Sequence, residues 1–181
     1  MKKSLIKTKT MTLIGIMAAV ICILGPLSIP IGPVPVSFTN LAIFITVYIL
    51  GWKKGAMSYL IYLLAGLVGL PVFSGFSGGI GKLLGPTGGY LIGFLFMAVI
   101  SGWFIERFRS KPVLCMVGMI VGSLVNYLLG TLWLAFQTEM TFPAALAVGV
   151  YPFLIWDLLK IILAAFAGSA IYKRLVKSQL L

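Results

Sequence analysis

Long apolar runs separated by short polar breaks set the pattern of this chain. The runs fall at about residues 11–27, 37–51, 55–70, 87–105, 113–136 and 152–172. A bilayer crossing needs roughly 20 predominantly apolar residues, so the pattern predicts six membrane-spanning helices in one domain covering 1–181. The second and third runs are short for a span. They are expected to tilt little, or to end below the surface and help line a cavity. No internal repeat is evident, so a duplicated transporter architecture has no support.

The breaks between the runs are of two kinds. Those after the second and fourth runs are short and basic. The other three are longer and carry turn formers. "SIPIGPVPVS" (28–37), with Pro26 just before it, brings four prolines that deny helix and favour an extended course. "LPVFSGFSGGIGKLLGPTGGYL" (70–91) holds seven glycines, two prolines and one lysine, with the loop itself at 71–86. "QTEMTFPAALAVGVYP" (137–152) predicts a short interfacial helix, and Pro152 suits the first turn of the last span. Shape and binding are therefore expected on the side of these three connections.

Composition agrees with the pattern. The chain is 61% hydrophobic and 9% charged, with a mean hydropathy of +1.14, which excludes a soluble globular domain. A net charge of +11 would suit nucleic acid, but the basic residues do not form a patch. Twelve of the fourteen fall at Lys2, Lys3, Lys7, Lys9, Lys53, Lys54, Arg107, Arg109, Lys111, Lys173, Arg174 and Lys177, all on one side if the chain crosses six times. This is the positive-inside pattern. It assigns both termini to the cytoplasm and leaves no nucleic-acid partner to explain. The fold class is an all-α integral membrane protein, a bundle of six transmembrane helices. The first run has the basic lead of a signal peptide but no small-residue cleavage site, and is expected to be retained.

Candidate chemistry is sparse. Histidine is absent and the only acids are Glu106, Glu139 and Asp157, which removes most nucleophile–base pairs, metal sites and paired-carboxylate mechanisms. No enzyme, metal or cofactor is expected. Cys22 and Cys115 fall inside apolar runs and read as packing residues. "GIGK" fails as a P-loop because Phe76 and Leu83 stand where glycine and Ser or Thr are needed. A dinucleotide fingerprint from Gly79 fails at Leu84.

The sharper signal is "WDLLK". Asp157 and Lys160, three apart, share one face of the last helix below the outer surface, where ionisable groups are costly and are functional candidates by default. Two readings stay open: a structural clasp, or a carboxylate that accepts from ligand N–H groups beside an ammonium that donates to a ligand oxygen. The glycine loop likewise reads as a lid over a pocket, as a plain surface loop, or as close packing through Gly81, Gly85, Gly89 and Gly93. Asn126 continues the face of Gly118 and Gly122, as interhelical glue would. Thr39 and Asn40 cap the second span or bind ligand. Tyr90 and Trp156 belong to an aromatic belt or stack on a ligand. In the first run Gly15 and Ala19 leave a smooth stripe, for packing within the chain or for docking a separate membrane subunit.

"GPVPVSFTN", "LIYLLAGLVGLPVFSGFSGGIGKLLGPTGGYLIGF" and "YPFLIWDLLKIILA" together resemble the BioY family, the biotin-specific S components of energy-coupling factor transporters, over about residues 11–173. The resemblance implies a six-helix bundle in the bacterial cell membrane that captures biotin on the outer side under the loop between the third and fourth spans. Asp157 and Lys160 match the family's D-x-x-K, with Gly78, Gly79 and Tyr90 in the matching loop and helix start. The implied partners are a transmembrane coupling protein and two cytoplasmic ATPases, docked against the Gly15 and Ala19 region, with the S component toppling to carry its ligand inward. Many relatives carry a loop arginine where this chain has Ser77, with Lys82 nearby, and Gln before Thr or Asn where this chain has Thr39 and Asn40. Pro-Gly precedes the aspartate where this chain has Ile155 and Trp156. Remaining alternatives are an S component for another small vitamin and a structural or assembly membrane protein with no small ligand.

Overall fold

A computed structural model describes the backbone of residues 2–31 and 33–180, and the side chains of that range from residue 8 onward. Residues 1, 32 and 181 of the expected single domain, and the side chains of Lys2, Lys3 and Lys7 in the expected basic pattern, lie outside the described residues. The elements in chain order are α1 (Lys2–Leu24), β1 (Ser28–Ile29), β2 (Val36–Ser37), α2 (Thr39–Leu67), α3 (Ile80–Leu84), α4 (Gly88–Phe108), α5 (Pro112–Thr138), α6 (Phe142–Gly149), a 3-10 turn (Tyr151–Phe153) and α7 (Leu154–Lys177). Among the described residues three stretches are long and apolar enough to cross a membrane: Gly88–Phe108, Pro112–Thr138 and the continuous run Phe142–Lys177. Thr8–Leu24 is a shorter apolar helix.

The proline-rich connection is extended as expected. It folds into a small antiparallel hairpin pairing Ser28 with Ser37 and Ile29 with Val36. The short helix expected before the last span is α6, and Pro152 falls in the turn that leads into α7.

The second and third apolar runs differ from the expectation of two helices with a basic loop. They form α2, a helix broken at a single residue. Gly51 adopts φ 78° and ψ 177°, a conformation for which only glycine is suited. A Cβ on Gly55 would lie 2.6 Å from Val47, whereas residues eight apart in an unbroken helix are about 12 Å apart along the axis. The arms 39–50 and 52–67 therefore fold back on each other with no loop, and Lys53 and Lys54 belong to the second arm. The backbone N–H of Trp52, freed by the break, donates to Glu106 Oε2 at 3.4 Å.

Glycines set the spacing of α4 against α5. Gly89 meets Trp133 and the Leu129 carbonyl, Gly93 meets Asn126, Gly118 meets Phe104, Gly122 meets Ser101 and Met97, and Gly130 meets the Tyr90 ring. In lipid, where helices gain nothing by hiding apolar surface from water, such close backbone approach supplies the dispersion that holds them together. Hydroxyls add stitches: Ser58 Oγ lies 3.0 Å from the Ile14 carbonyl and Tyr59 donates to the Leu91 carbonyl at 2.6 Å. The outer faces are apolar, as Leu124, Leu128, Leu132 and Phe136 show on α5 by standing exposed at four-residue spacing.

The glycine-dense segment is more ordered than an open loop. Phe73 is fully buried, its ring edge-on to Tyr62 with centroids 5.6 Å apart and lying where a Cβ on Gly66 would stand. Gly75 and Phe76 take positive φ in the turn closed by the Phe73–Ser77 bridge. Gly75 N–H donates to the Pro26 carbonyl at 3.0 Å and Gly79 N–H to the Gly66 carbonyl at 2.7 Å. α3 follows within the expected loop, and Trp133 Nε1 donates to the Gly85 carbonyl at 2.9 Å.

Because the Phe104 side chain occupies the space a Cβ would need at Gly118, the substitution Gly118→Leu is expected to destabilise the bundle by about 1–3 kcal/mol. Thermal unfolding in detergent measures this; an unchanged midpoint would contradict the close α4–α5 contact.

Candidate binding pocket

At the end of the bundle where α2 begins and its second arm ends, where α4 and α7 begin, and where α5 ends, side chains converge on a cavity of about 600 Å³ counted out to its open mouth. The hairpin and the start of α2 contribute Ser37, Thr39 and Asn40. Tyr62 comes from the second arm, Ser74 and Lys82 from the glycine-dense segment, and Thr87, Tyr90 and Phe94 from the start of α4. The opposite wall is Asn126 and Tyr127 of α5 with Phe153, Asp157 and Lys160.

Asp157 and Lys160 are the charged centre. Their residues are only 8% and 7% exposed, and Lys160 Nζ lies 3.0 Å from Asp157 Oδ1. Each charge has a second partner from another element. Tyr127 donates its hydroxyl to Asp157 Oδ2 at 2.5 Å, and Lys160 donates to the Ser37 carbonyl at 2.7 Å. Asp157 also sits in the first turn of α7, where the helix macrodipole favours a negative charge. A buried pair is tolerable only with such added hydrogen bonds. The result is an acceptor and a donor side by side at one wall of the cavity.

Of the residues singled out by sequence, Asp157, Lys160, Tyr90, Lys82, Asn40 and Thr39 line this cavity. Ser77, Gly78 and Gly79 are not among its lining residues. Ser77 Oγ donates to the Ser74 carbonyl at 2.9 Å, a Cβ on Gly78 would fall on the Leu70 carbonyl, and Gly79 has φ 89°. They shape the turn that presents Ser74 and Lys82. Tyr90 presents its ring, while its hydroxyl donates to the Gly149 carbonyl at 2.9 Å and ties α4 to α6. Trp156 is 50% exposed and lines an outer groove instead of the pocket. Gly15 and Ala19 lie exposed on α1, and nothing stands within 4 Å of a Cβ placed on Gly15. Among the described residues that stripe is thus not used for packing within the chain.

Tyr127 was not picked out by sequence reasoning, since a tyrosine in an apolar span has no signature of its own. Asn126 does more than the interhelical glue that its spacing predicts. It packs on Gly93 but also lines the cavity, and its Oδ1 is buried with no hydrogen-bond partner. Among the described residues no group of three His, Cys, Asp or Glu side chains could hold a metal ion.

Comparison with known proteins places the chain among relatives over nearly its whole length. The family model described as "BioY family" matches residues 1–177. The chain is 39% identical to the biotin transporter BioY2 of Lactococcus lactis subsp. cremoris, covering 93% of each chain. It is 38% identical to the biotin transporter BioY of Thermotoga maritima, covering 88% of this chain and 93% of that one. Among solved structures, the crystal structure of the S-component for biotin from an ECF-type ABC transporter superposes with a TM-score of 0.85, at 33% identity over 92% of both chains.

Removing one member of the buried pair exposes the value of the other. Lys160→Met is expected to destabilise the fold by about 3–5 kcal/mol, and adding Asp157→Leu to it is expected to recover much of that loss. Chemical unfolding of the single and double variants in detergent checks this; a double variant no more stable than the single would contradict a paired charge at this site.

Proposed function

The chain belongs to the BioY family, and on that footing we propose that it is the membrane-embedded biotin-binding subunit, or S component, of an ATP-driven vitamin uptake transporter of the energy-coupling factor type. Its role is transport, not catalysis. The observation that carries the reading is the buried Asp157–Lys160 pair in the wall of a small-molecule pocket. Biotin has a ureido ring with two N–H donors and a carbonyl, and a tail that ends in a carboxylate. Asp157 accepts from a ureido N–H, and Lys160 keeps a free donor direction for a ligand oxygen. Tyr90, Phe94 and Phe153 give the fused rings apolar walls. Lys82, from the glycine-dense segment, is the second cation of the pocket and meets the tail carboxylate. Thr39 and Asn40 complete the polar wall, and Ser77, Gly78 and Gly79 act through the turn they form.

The chain 1–181 is one transmembrane domain of six spans: α1, the two arms of α2, α4, α5 and α7. It lies multi-pass in the bacterial cell membrane with both termini in the cytoplasm. Supporting this orientation, Lys9, Lys54 and Arg109 line one cleft at the bundle end away from the pocket, as the positive-inside rule would have it for a pocket open to the outside. Delivery inward needs an energy source this chain lacks. A transmembrane coupling protein and two cytoplasmic ATPases supply it, with the coupling protein seated on the unpacked stripe of Gly15 and Ala19, where small residues admit a close helix.

Biotin titrated into the purified protein is expected to bind saturably, with riboflavin and thiamine inert. Tryptophan emission is expected to report it through Trp133, which is bonded to the glycine-dense segment, and the change should vanish in Trp133→Phe. Absence of binding by calorimetry would overturn the assignment. Asp157→Asn is expected to weaken biotin by about 1.5–3 kcal/mol; unchanged affinity in a folded variant would leave the pair a clasp only.

A further inference from the structure

A second cleft, about 930 Å³ counted out to its open side, lies between the start of α1, the break in α2 and the ends of α4 and α7. It is at the other end of the bundle from the pocket: Tyr90 and Arg109, at the two ends of α4, are about 28 Å apart at the helical rise. Lys9, Lys54 and Arg109 line it from three separate elements. Among the described residues no carboxylate forms an ion pair with any of them. Lys9 Nζ donates to the Gln179 carbonyl at 2.7 Å, and Arg109 Nη2 to the Tyr48 carbonyl at 3.2 Å, with its guanidinium 3.8 Å over the Tyr172 ring. These acceptors are all neutral. Arg109 Nε is buried with no hydrogen-bond partner among the described residues. Glu106 lines the same cleft, but its carboxylate takes the Trp52 N–H. Among the described residues the ion pair recorded is Asp157–Lys160, and none joins Glu106 to a cation. Among the described residues that line it, three cations stand against one carboxylate in a concave space that also has Leu13, Ile49 and Leu50 on its walls.

We propose that this cleft binds the phosphate-bearing headgroup of an anionic phospholipid. Converging guanidinium and ammonium groups suit a phosphate, and basic recesses between transmembrane helices are where such headgroups are held. The apolar walls beside the cations match a ligand whose charge is joined to hydrocarbon, which a free ion is not. An occupant would fasten the start of α1 to α2 and to the end of α4.

The test uses the full-length protein purified in a neutral detergent, with phosphatidylglycerol or phosphatidylcholine added and retention read by native mass spectrometry. Wild-type protein is expected to hold phosphatidylglycerol in preference to phosphatidylcholine. Each cation near a membrane surface is worth about fivefold in affinity, so Lys9→Gln with Lys54→Gln is expected to weaken phosphatidylglycerol by roughly 25-fold. Lys111→Gln with Lys173→Gln, exposed and outside the cleft, is the charge-matched control and is expected to change it less than about twofold. Equal losses in both double variants would mean diffuse attraction and overturn the site, as would no preference between the lipids. Inorganic phosphate binding as tightly as the lipid would replace the proposed occupant with a free anion. Unchanged lipid binding in Lys9→Gln with Lys54→Gln, with assembly onto partner subunits lost, would assign the cleft to protein contact and likewise overturn it.

Discussion

Two opposite charges held out of water form the constraint on which the pocket end depends. Neither Asp157 nor Lys160 could be buried among hydrocarbon side chains alone, because the loss of hydration exceeds what one contact returns. The structure answers with Tyr127 on one oxygen of the carboxylate and the Ser37 carbonyl on the ammonium. Satisfying the pair therefore fixes α7 relative to α5 and to the hairpin strand β2. Those three elements, brought together for electrostatic reasons, are also three walls of the cavity.

The remaining walls depend on close backbone approach. α4 lies near enough to α5 for Gly89 to rest on Trp133 and for the Tyr90 ring to rest on Gly130. Tyr90 and Asn126 are thereby set across from α7 without any charge involved. The break at Gly51 serves the same end by different means, since folding α2 back on itself brings Tyr62 to the level of Thr39, and both line the pocket. Buried Phe73 then holds the glycine-dense segment down over Tyr62.

Much of this could be read from the sequence, and the reasons differ by feature. Asp157 and Lys160 stood out because ionisable residues are so rare within apolar runs. The apolar runs themselves located the helices, and four prolines located the extended hairpin. The reversal at Gly51 was not legible as a break in one helix, since "GWKK" looks like any short basic connection and only backbone dihedrals distinguish the two. Tyr127 was hidden for the opposite reason: its importance comes from what it faces, thirty residues away, and nothing in its neighbourhood marks it. Ser77, Gly78 and Gly79 were visible as unusual, but composition cannot separate a residue that lines a cavity from one that bends the chain beside it. Trp156 shows the same limit from the other side, adjacent in sequence to Asp157 yet turned outward on the helix.

The bond from Lys160 to the Ser37 carbonyl joins positions 123 apart in the chain. A chain is synthesised from its N-terminus, so the hairpin strand, the broken helix and Tyr127 leave the ribosome before the helix that carries the charges. The acceptor for its ammonium and the donor for its carboxylate thus precede α7 in synthesis, and the two charges arrive after the groups that satisfy them. A chain misfolded upstream would leave Asp157 and Lys160 without the partners that make their burial tolerable, so the cost of an early error falls due only when α7 is made.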